Sequence, residues 1–220
     1  MVFTAEPYTD NCRRILEQGT HCVVVMSPFN SYYKPRLIRS LTRWALTTFG
    51  SSDFVVPGIE AADTLVARGW TRERARRRAA IAVGKLRAPT RSALLEAGVA
   101  DPDDRVHSWT QLADHPPYQR LRALVTHHYD TDPGMRRAIR QLSARAIGAD
   151  VADARIDICV EYALAEIPFM LDCPSIFGVE SSILVYHRDF EFIRLLLADS
   201  TPTPVKPADG QGFIVCQPVP

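Results

Sequence analysis

The stretch His21–Tyr33, HCVVVMSPFNSYY, constrains this chain more than any other. Its apolar run halts abruptly at a Ser, a Pro and an Asn. Val23, Val24 and Val25 are β-branched and stiff at χ1, which suits a pleated strand. A continuous apolar run, unlike an alternating one, suits a strand buried on both faces of a parallel sheet. The next segment, Arg36–Thr48, carries Leu37, Leu41, Trp44 and Ala45 at helical spacing. Strand, polar turn and helix together place the turn at the carboxyl ends of the strands, where open α/β sheets bind ligands. Ser27 then presents its hydroxyl at the mouth of a crevice. A plainer reading makes Ser27–Asn30 only a turn, with Asn30 bonding nearby backbone.

Further elements follow the same pattern. Met1–Thr4 reads as a short edge strand and Cys12–Gln18 as a helix. Asp53–Pro57 reads as a second buried strand, Ile59–Ala67 as helical, and Thr71–Leu86 as a helix capped by Thr71 that Pro89 ends or kinks, with Arg91–Ala97 continuing helically to Gly98. Arg105–Trp109 is a third strand by pattern. Tyr118–His128, Pro133–Ile147 and Ala152–Phe169 are helices, the last ending near Pro168. Ser181–Tyr186 is a strand, Phe190–Ala198 a helix, Ser200–Gly210 a Pro-rich loop and Phe213–Cys216 a final strand. Strands alternating with helices imply a parallel sheet flanked by helices. With 220 residues and no long linker, one domain spanning 1–220 is expected.

No apolar run reaches the ~18 residues of a membrane helix, and the N-terminus lacks the pattern of a signal peptide. The expectation is a cytoplasmic protein without a membrane partner. The five cysteines are scattered and form no C-x-x-C pair, which argues against a metal site and a disulfide framework. Neither a Walker loop nor G-x-G-x-x-G follows a strand, so ATP has no motif behind it.

Net charge is only +1, yet it is unevenly spread. Arg68, Arg72, Arg74, Arg76, Arg77, Arg78, Lys85, Arg87 and Arg91 face a single acid, Glu73. Arg74, Arg77, Arg78 and Lys85 can point to one side, with Arg76 and Arg87 flanking, as a comb suited to phosphates that binds without reading bases. A solvated arginine face is the alternative, but such faces usually carry interleaved glutamates.

Two further groups could carry chemistry. Tyr162 and Glu166 stand at i,i+4 on the long helix, where they could hold an ammonium group or simply face solvent. Tyr186 and His187 follow the apolar run of a strand, so Tyr186 could approach Ser27 and relay a proton, while His187 is a base or a structural residue. No Ser-His-Asp arrangement and no G-x-S-x-G elbow is visible. A serine without a histidine base needs an activated acyl donor such as an ester.

Three motifs in order carry a family resemblance: Ser27-Pro28-Phe29-Asn30-Ser31-Tyr32, Tyr162-Ala-Leu-Ala-Glu166-x-Pro168, and Ser181 through His187. With the NCRRILEQGTH segment and the arginine-rich helix, they resemble the cyclodipeptide synthases over nearly the whole chain. Asn30, Tyr186 and His187 look like the branch marked by Asn, Tyr and His. The resemblance implies a Rossmann-like fold similar to class I tyrosyl- and tryptophanyl-tRNA synthetase catalytic domains. It implies two aminoacyl-tRNA substrates, no cofactor, ATP or metal, and a monomer or weak homodimer. Ser27 would hold the first residue covalently, Tyr162 and Glu166 would bind its ammonium group, Asn30 would orient it, and Tyr186 would relay a proton. The arginine helix would grip tRNA. The first-residue pocket would be lined by Val23, Val25, Trp109, Phe169 and Leu184. Val25 stands where some relatives have glycine, which favours aliphatic residues over tryptophan. Outside the resemblance, a non-catalytic RNA-binding module and a hydrolase-like esterase are the competing classes.

Overall fold

A computed structural model describes residues 1–150, 153–198 and 203–219. A six-stranded sheet runs in the order β1-β6-β5-β2-β3-β4. Its strands are β1 (Phe3–Pro7), β2 (His21–Val25), β3 (Ser51–Val55), β4 (Val106–His107), β5 (Ser182–Tyr186) and β6 (Gln211–Pro218). All neighbours pair parallel except β1, which lies antiparallel on β6 as an edge strand. The chain runs outward from β2 through β3 to β4, then crosses back to β5 on the other side of β2. The strand order therefore reverses between β2 and β5, and a crevice opens at their carboxyl ends.

Both faces of the central strands are covered. Val23, Val25 and Leu184 point into a core with α6 (Pro116–Thr131), α7 (Pro133–Ile147) and α8 (Ile156–Phe177). Cys22, Val24, Ile183 and Val185 point the other way, toward α2 (Pro35–Thr48) and α4 (Arg72–Glu96). The period of two along an all-apolar run is the signature of a doubly covered strand.

Several boundaries differ from the sequence reading. The basic helix α4 does not end or break at Pro89 but continues to Glu96. Leu86, Pro89, Thr90, Ala93 and Leu94 form a buried stripe, and its burial outweighs the one backbone bond that proline removes. Likewise α8 runs past Pro168; the non-helical residue is Asp172, whose Oδ1 accepts from Ser175 N at 3.0 Å and caps the final turns. The expected start of that helix at Ala152 lies outside the described residues, as does the 200–202 part of the expected loop. The strand expected over Arg105–Trp109 shrinks to β4, because Ser108 and Gln111 form a capping box that starts α5 (Trp109–Leu112). Preceding α4 is α3 (Ala62–Ala67), and α9 (Glu191–Leu197) follows β5.

A buried polar cluster starts at the amino ends of β2 and β5 and reaches through the middle of β3 to the end of β4. His21 Nε2 lies 2.9 Å from Asp53 Oδ2, and His107 Nε2 lies 2.6 Å from Asp53 Oδ1. Ser182 Oγ contacts His21 Nδ1 at 2.8 Å, and Arg105 reaches Asp53 at 3.4 Å. Burial alone would raise the Asp53 carboxyl, but hydrogen bonds from His107 and His21 outweigh it and hold the group at about 2. This is a Ser-His-Asp chain in connectivity, yet Ser182 and His21 are sealed in the interior, at 0% and 2% exposure. It ties β2, β3, β4 and β5 together and has no route to a substrate.

A carboxyl held below its unfolded value stabilises the fold above about pH 4, and that contribution fades as protonation sets in toward about pH 2. Asp53→Asn should therefore cost about 3 kcal/mol at neutral pH, the order expected when a buried charge network loses a member. Denaturant melts of both proteins across pH should show the gap narrowing as pH falls from about 4 toward about 2. A gap independent of pH would show that the Asp53 carboxylate is not what stabilises.

Candidate active site

Ser27 lies just beyond β2, at the crevice where the strand order reverses. Its Oγ is 3.1 Å from the Tyr186 hydroxyl, at the end of the adjacent strand β5. Phe29 adopts φ of 66°, in the left-handed region that side chains avoid. Asn30 Oδ1 accepts from Tyr32 N at 3.0 Å, so the turn is an Asx turn as well as part of a site. Both readings of Ser27–Asn30 hold at once. A cavity of about 720 Å³ is lined by Ser27, Asn30, Tyr162, Glu166, Tyr186 and Arg188 among others.

Tyr162 and Glu166 come from α8, one turn apart, and both line the cavity rather than the outer surface. The Tyr162 ring packs against Trp109 with centroids 4.3 Å apart. Burial pushes the Glu166 carboxyl up to about 7. Burial, and then Glu166, push the Tyr162 hydroxyl well above its usual value, and the same two causes raise Tyr186. Against that rise work the Ser27 hydrogen bond and the Arg188 guanidinium on Tyr186. A buried carboxyl beside two neutral phenols, facing a cavity, has the chemistry to accept a small cation.

His187 is held by its neighbours and is not poised as a base. Tyr33 donates its hydroxyl to Val25 O at 3.0 Å, so its oxygen accepts from His187 Nδ1–H at 3.2 Å. Nε2 of His187 then accepts from the Asn30 amide at 3.2 Å. Tyr32 stacks on the imidazole at 4.4 Å. Burial, followed by the charge of Arg188, lowers the His187 pKa to about 4. The ring stays neutral and fixes the Ser27–Asn30 turn to the end of β5. Tyr33 is thus a positioning residue that the sequence reading missed, because a buried tyrosine beside an apolar helix gives no outward signal.

A second, smaller cavity of about 10 Å³ adjoins the first and shares Glu166 and Tyr186 with it. Val25, Phe169 and Leu184 line it as expected, joined by Met170, Phe190 and Ile193. Met170 stands one turn after Glu166, so helical spacing from that carboxylate could have found it. Val23 and Trp109 do not line it: Val23 lies in the core beneath, and Trp109 reaches the site only through Tyr162.

The basic comb is only partly free. Arg74, Arg77, Arg78 and Lys85 are exposed. Arg74 lies 4.2 Å over the Trp70 ring, and Arg77 makes an exposed pair with Glu73 at 3.5 Å. Arg87 is turned inward and donates to Val106 O at 3.0 Å, fastening α4 to β4.

If the imidazole is locked as described, its ring nitrogen shifts in NMR titration should show a midpoint near about 4. A midpoint at the ordinary histidine value would mean that the Tyr33–His187–Asn30 chain is open in solution.

The family model described as "Cyclodipeptide synthase" matches residues 3–218. A cyclo(L-leucyl-L-leucyl) synthase of Bacillus subtilis is 32% identical over 98% of this chain and 89% of its own length. A cyclo(L-tyrosyl-L-tyrosyl) synthase of Mycobacterium tuberculosis is 29% identical over 89% of this chain and 70% of its own length. A solved Mycobacterium tuberculosis protein, described as demonstrating that cyclodipeptide synthetases are related to type I tRNA synthetases, superposes with a TM-score of 0.87. It is 29% identical, over 99% of this chain and 94% of that one. A Staphylococcus haemolyticus structure of the same family gives a TM-score of 0.92 at 21% identity, over 99% of this chain and 100% of that one, and so speaks for the fold. With its helix-flanked sheet and its crevice serine, this chain belongs to the cyclodipeptide synthase family, enzymes that form cyclic dipeptides.

Proposed function

We propose that this protein, as one Rossmann-like domain over residues 1–220, joins two aminoacyl groups from charged tRNAs into a diketopiperazine by way of Ser27. The observation that carries the reading is the 3.1 Å contact of Ser27 Oγ with Tyr186, in a cavity that Tyr162 and Glu166 also line. Ser27 attacks the ester carbon of the first aminoacyl-tRNA; the tRNA hydroxyl leaves and takes up the serine proton. The bound residue keeps its ammonium group against Glu166 and Tyr162. Its amine, once neutral, attacks the second aminoacyl ester to give a dipeptidyl-Ser27, and the second tRNA leaves. The new N-terminal amine then attacks the serine ester, closes the ring and frees Ser27, whose oxygen regains a proton through Tyr186. The acyl donor arrives activated, so a serine without an imidazole partner suffices.

The esterase reading lacks a base: the nearest imidazole, His187, is held neutral by Tyr33 and Asn30. The buried Ser182–His21–Asp53 chain sits at the opposite strand ends. A non-catalytic RNA module would have no use for four polar side chains around one cavity. Asn30, Tyr186 and His187 support membership of the Asn-Tyr-His branch. Arg74, Arg77, Arg78 and Lys85 supply the exposed cations for the tRNA backbone, with Arg87 bracing the helix that carries them.

The small apolar cavity suits the first side chain. Its free volume is about 10 Å³, so an entering group needs the wall to yield, and flexible Met170 is the part best able to do so. Aliphatic residues of leucine size fit this better than tryptophan. The preference is modest, since one methylene changes selectivity by about 1–3 kcal/mol.

Ser27→Ala should abolish both the covalent adduct, seen by intact-protein mass spectrometry after mixing with leucyl-tRNA, and the cyclic product. Undiminished product from that variant would refute the acyl-enzyme. The carboxyl at about 7 gives a pH test. Glu166 is neutral on the acid side, so acyl-enzyme formation should rise through a midpoint near 7, and Glu166→Gln should flatten that limb. An unchanged acid limb in the variant would remove Glu166 from ammonium binding.

A further inference from the structure

Three arginines line the large cavity: Arg68, Arg145 and Arg188. Two are already engaged. Arg68 donates to Ala146 O at 2.5 Å, and Arg145 pairs with Glu191. The acid beside Arg188 is also taken: Asp189 pairs with Arg194 at 2.7 Å. Arg188 is exposed and has no ion-pair partner among the described residues. It stands in the bend that follows β5, and its side chain hydrogen-bonds that of Tyr186, so it lies beside the serine's partner on the edge of the crevice. Its charge is felt at Tyr186 and at His187, which places the guanidinium at the mouth and not out in solvent.

We infer that Arg188 is an anion contact for the last phosphodiester of the charged tRNA, the group that must pass this mouth when the ester reaches Ser27. The inference rests on the proposed use of aminoacyl-tRNA. An ester carbon at Ser27 sits one ribose away from the nearest phosphate, and Arg188 lines the same cavity as Ser27, on the side that this ribose and phosphate must pass. An arginine whose neighbour is a neutral phenol and not a carboxylate, beside a route that every substrate must take, keeps its charge available for phosphate contact. The basic helix cannot serve here: its arginines do not line this cavity. Arg188 thus supplies a local hold on the acceptor end, separate from the general backbone grip of α4.

The test is a chemical double-mutant cycle on the full protein. Leucyl-tRNA is prepared with its last internucleotide linkage either native or as an uncharged methylphosphonate. Acyl-enzyme formation is then followed with wild type, Arg188→Ala and Arg188→Lys. Either change alone should lower kcat/KM about fivefold, the scale of one exposed charge contact, and the two together should lower it no further. Arg188→Lys should recover most of the loss. Multiplying losses, or no loss from either change, would overturn the contact. Absence of any acyl-enzyme with wild type and native leucyl-tRNA would overturn the proposed function itself, and this inference with it; the other outcomes leave that function standing.

Discussion

The pairing of β2 with β5 holds this site together. Val23 lies opposite Leu184 and Val24 opposite Val185 in a parallel ladder. That register brings the ends of two strands, far apart in sequence, to one level, and it is why Ser27 meets Tyr186. A slip of one residue would turn every side chain to the other face, sending Leu184 from the small cavity into the opposite core. The apolar residues of both strands tolerate burial on either face. The polar first residues of the two strands do not, and the His21–Ser182 contact between them favours the observed register.

The site itself is an exercise in selective desolvation. Glu166 is buried enough to titrate near 7, yet it faces a cavity that a cation can enter. His187 is driven to the neutral form by the same burial and spent on geometry. One environment thus yields a carboxyl ready to ionise for a ligand and an imidazole withdrawn from proton transfer. The difference lies in their partners: His187 is satisfied on both nitrogens, whereas no described residue bonds the Glu166 carboxyl.

Much of this was legible beforehand because it follows from local chemistry. The apolar run, the Ser-Pro-Phe-Asn turn and the i,i+4 pair on α8 each predict their own place, and the strand-end rule brings Tyr186 toward Ser27. What escaped was set by tertiary packing. Proline rules put an end or kink at Pro89, between two helical stretches that are one continuous helix, and stopped α8 near Pro168, where burial of an apolar stripe carries it on. Tyr33, Phe190 and Ile193 look like ordinary core residues until the fold puts them beside a cavity. Arg87 looks like one more tooth of the comb, and only the closeness of β4 turns it inward. The Ser182–His21–Asp53 chain was invisible because its members come from three separate strands.

The His21–Ser182 contact and the crevice occupy opposite ends of β2 and β5, strands only five residues long. The polar fastening is thereby separated from the lining of the small apolar cavity, where the proposed function seats the first side chain. Met170, Phe190 and Ile193 can drift in size over generations without touching the polar fastening at the far end. Such a division of labour leaves the cavity wall open to substitution while the scaffold stays the same.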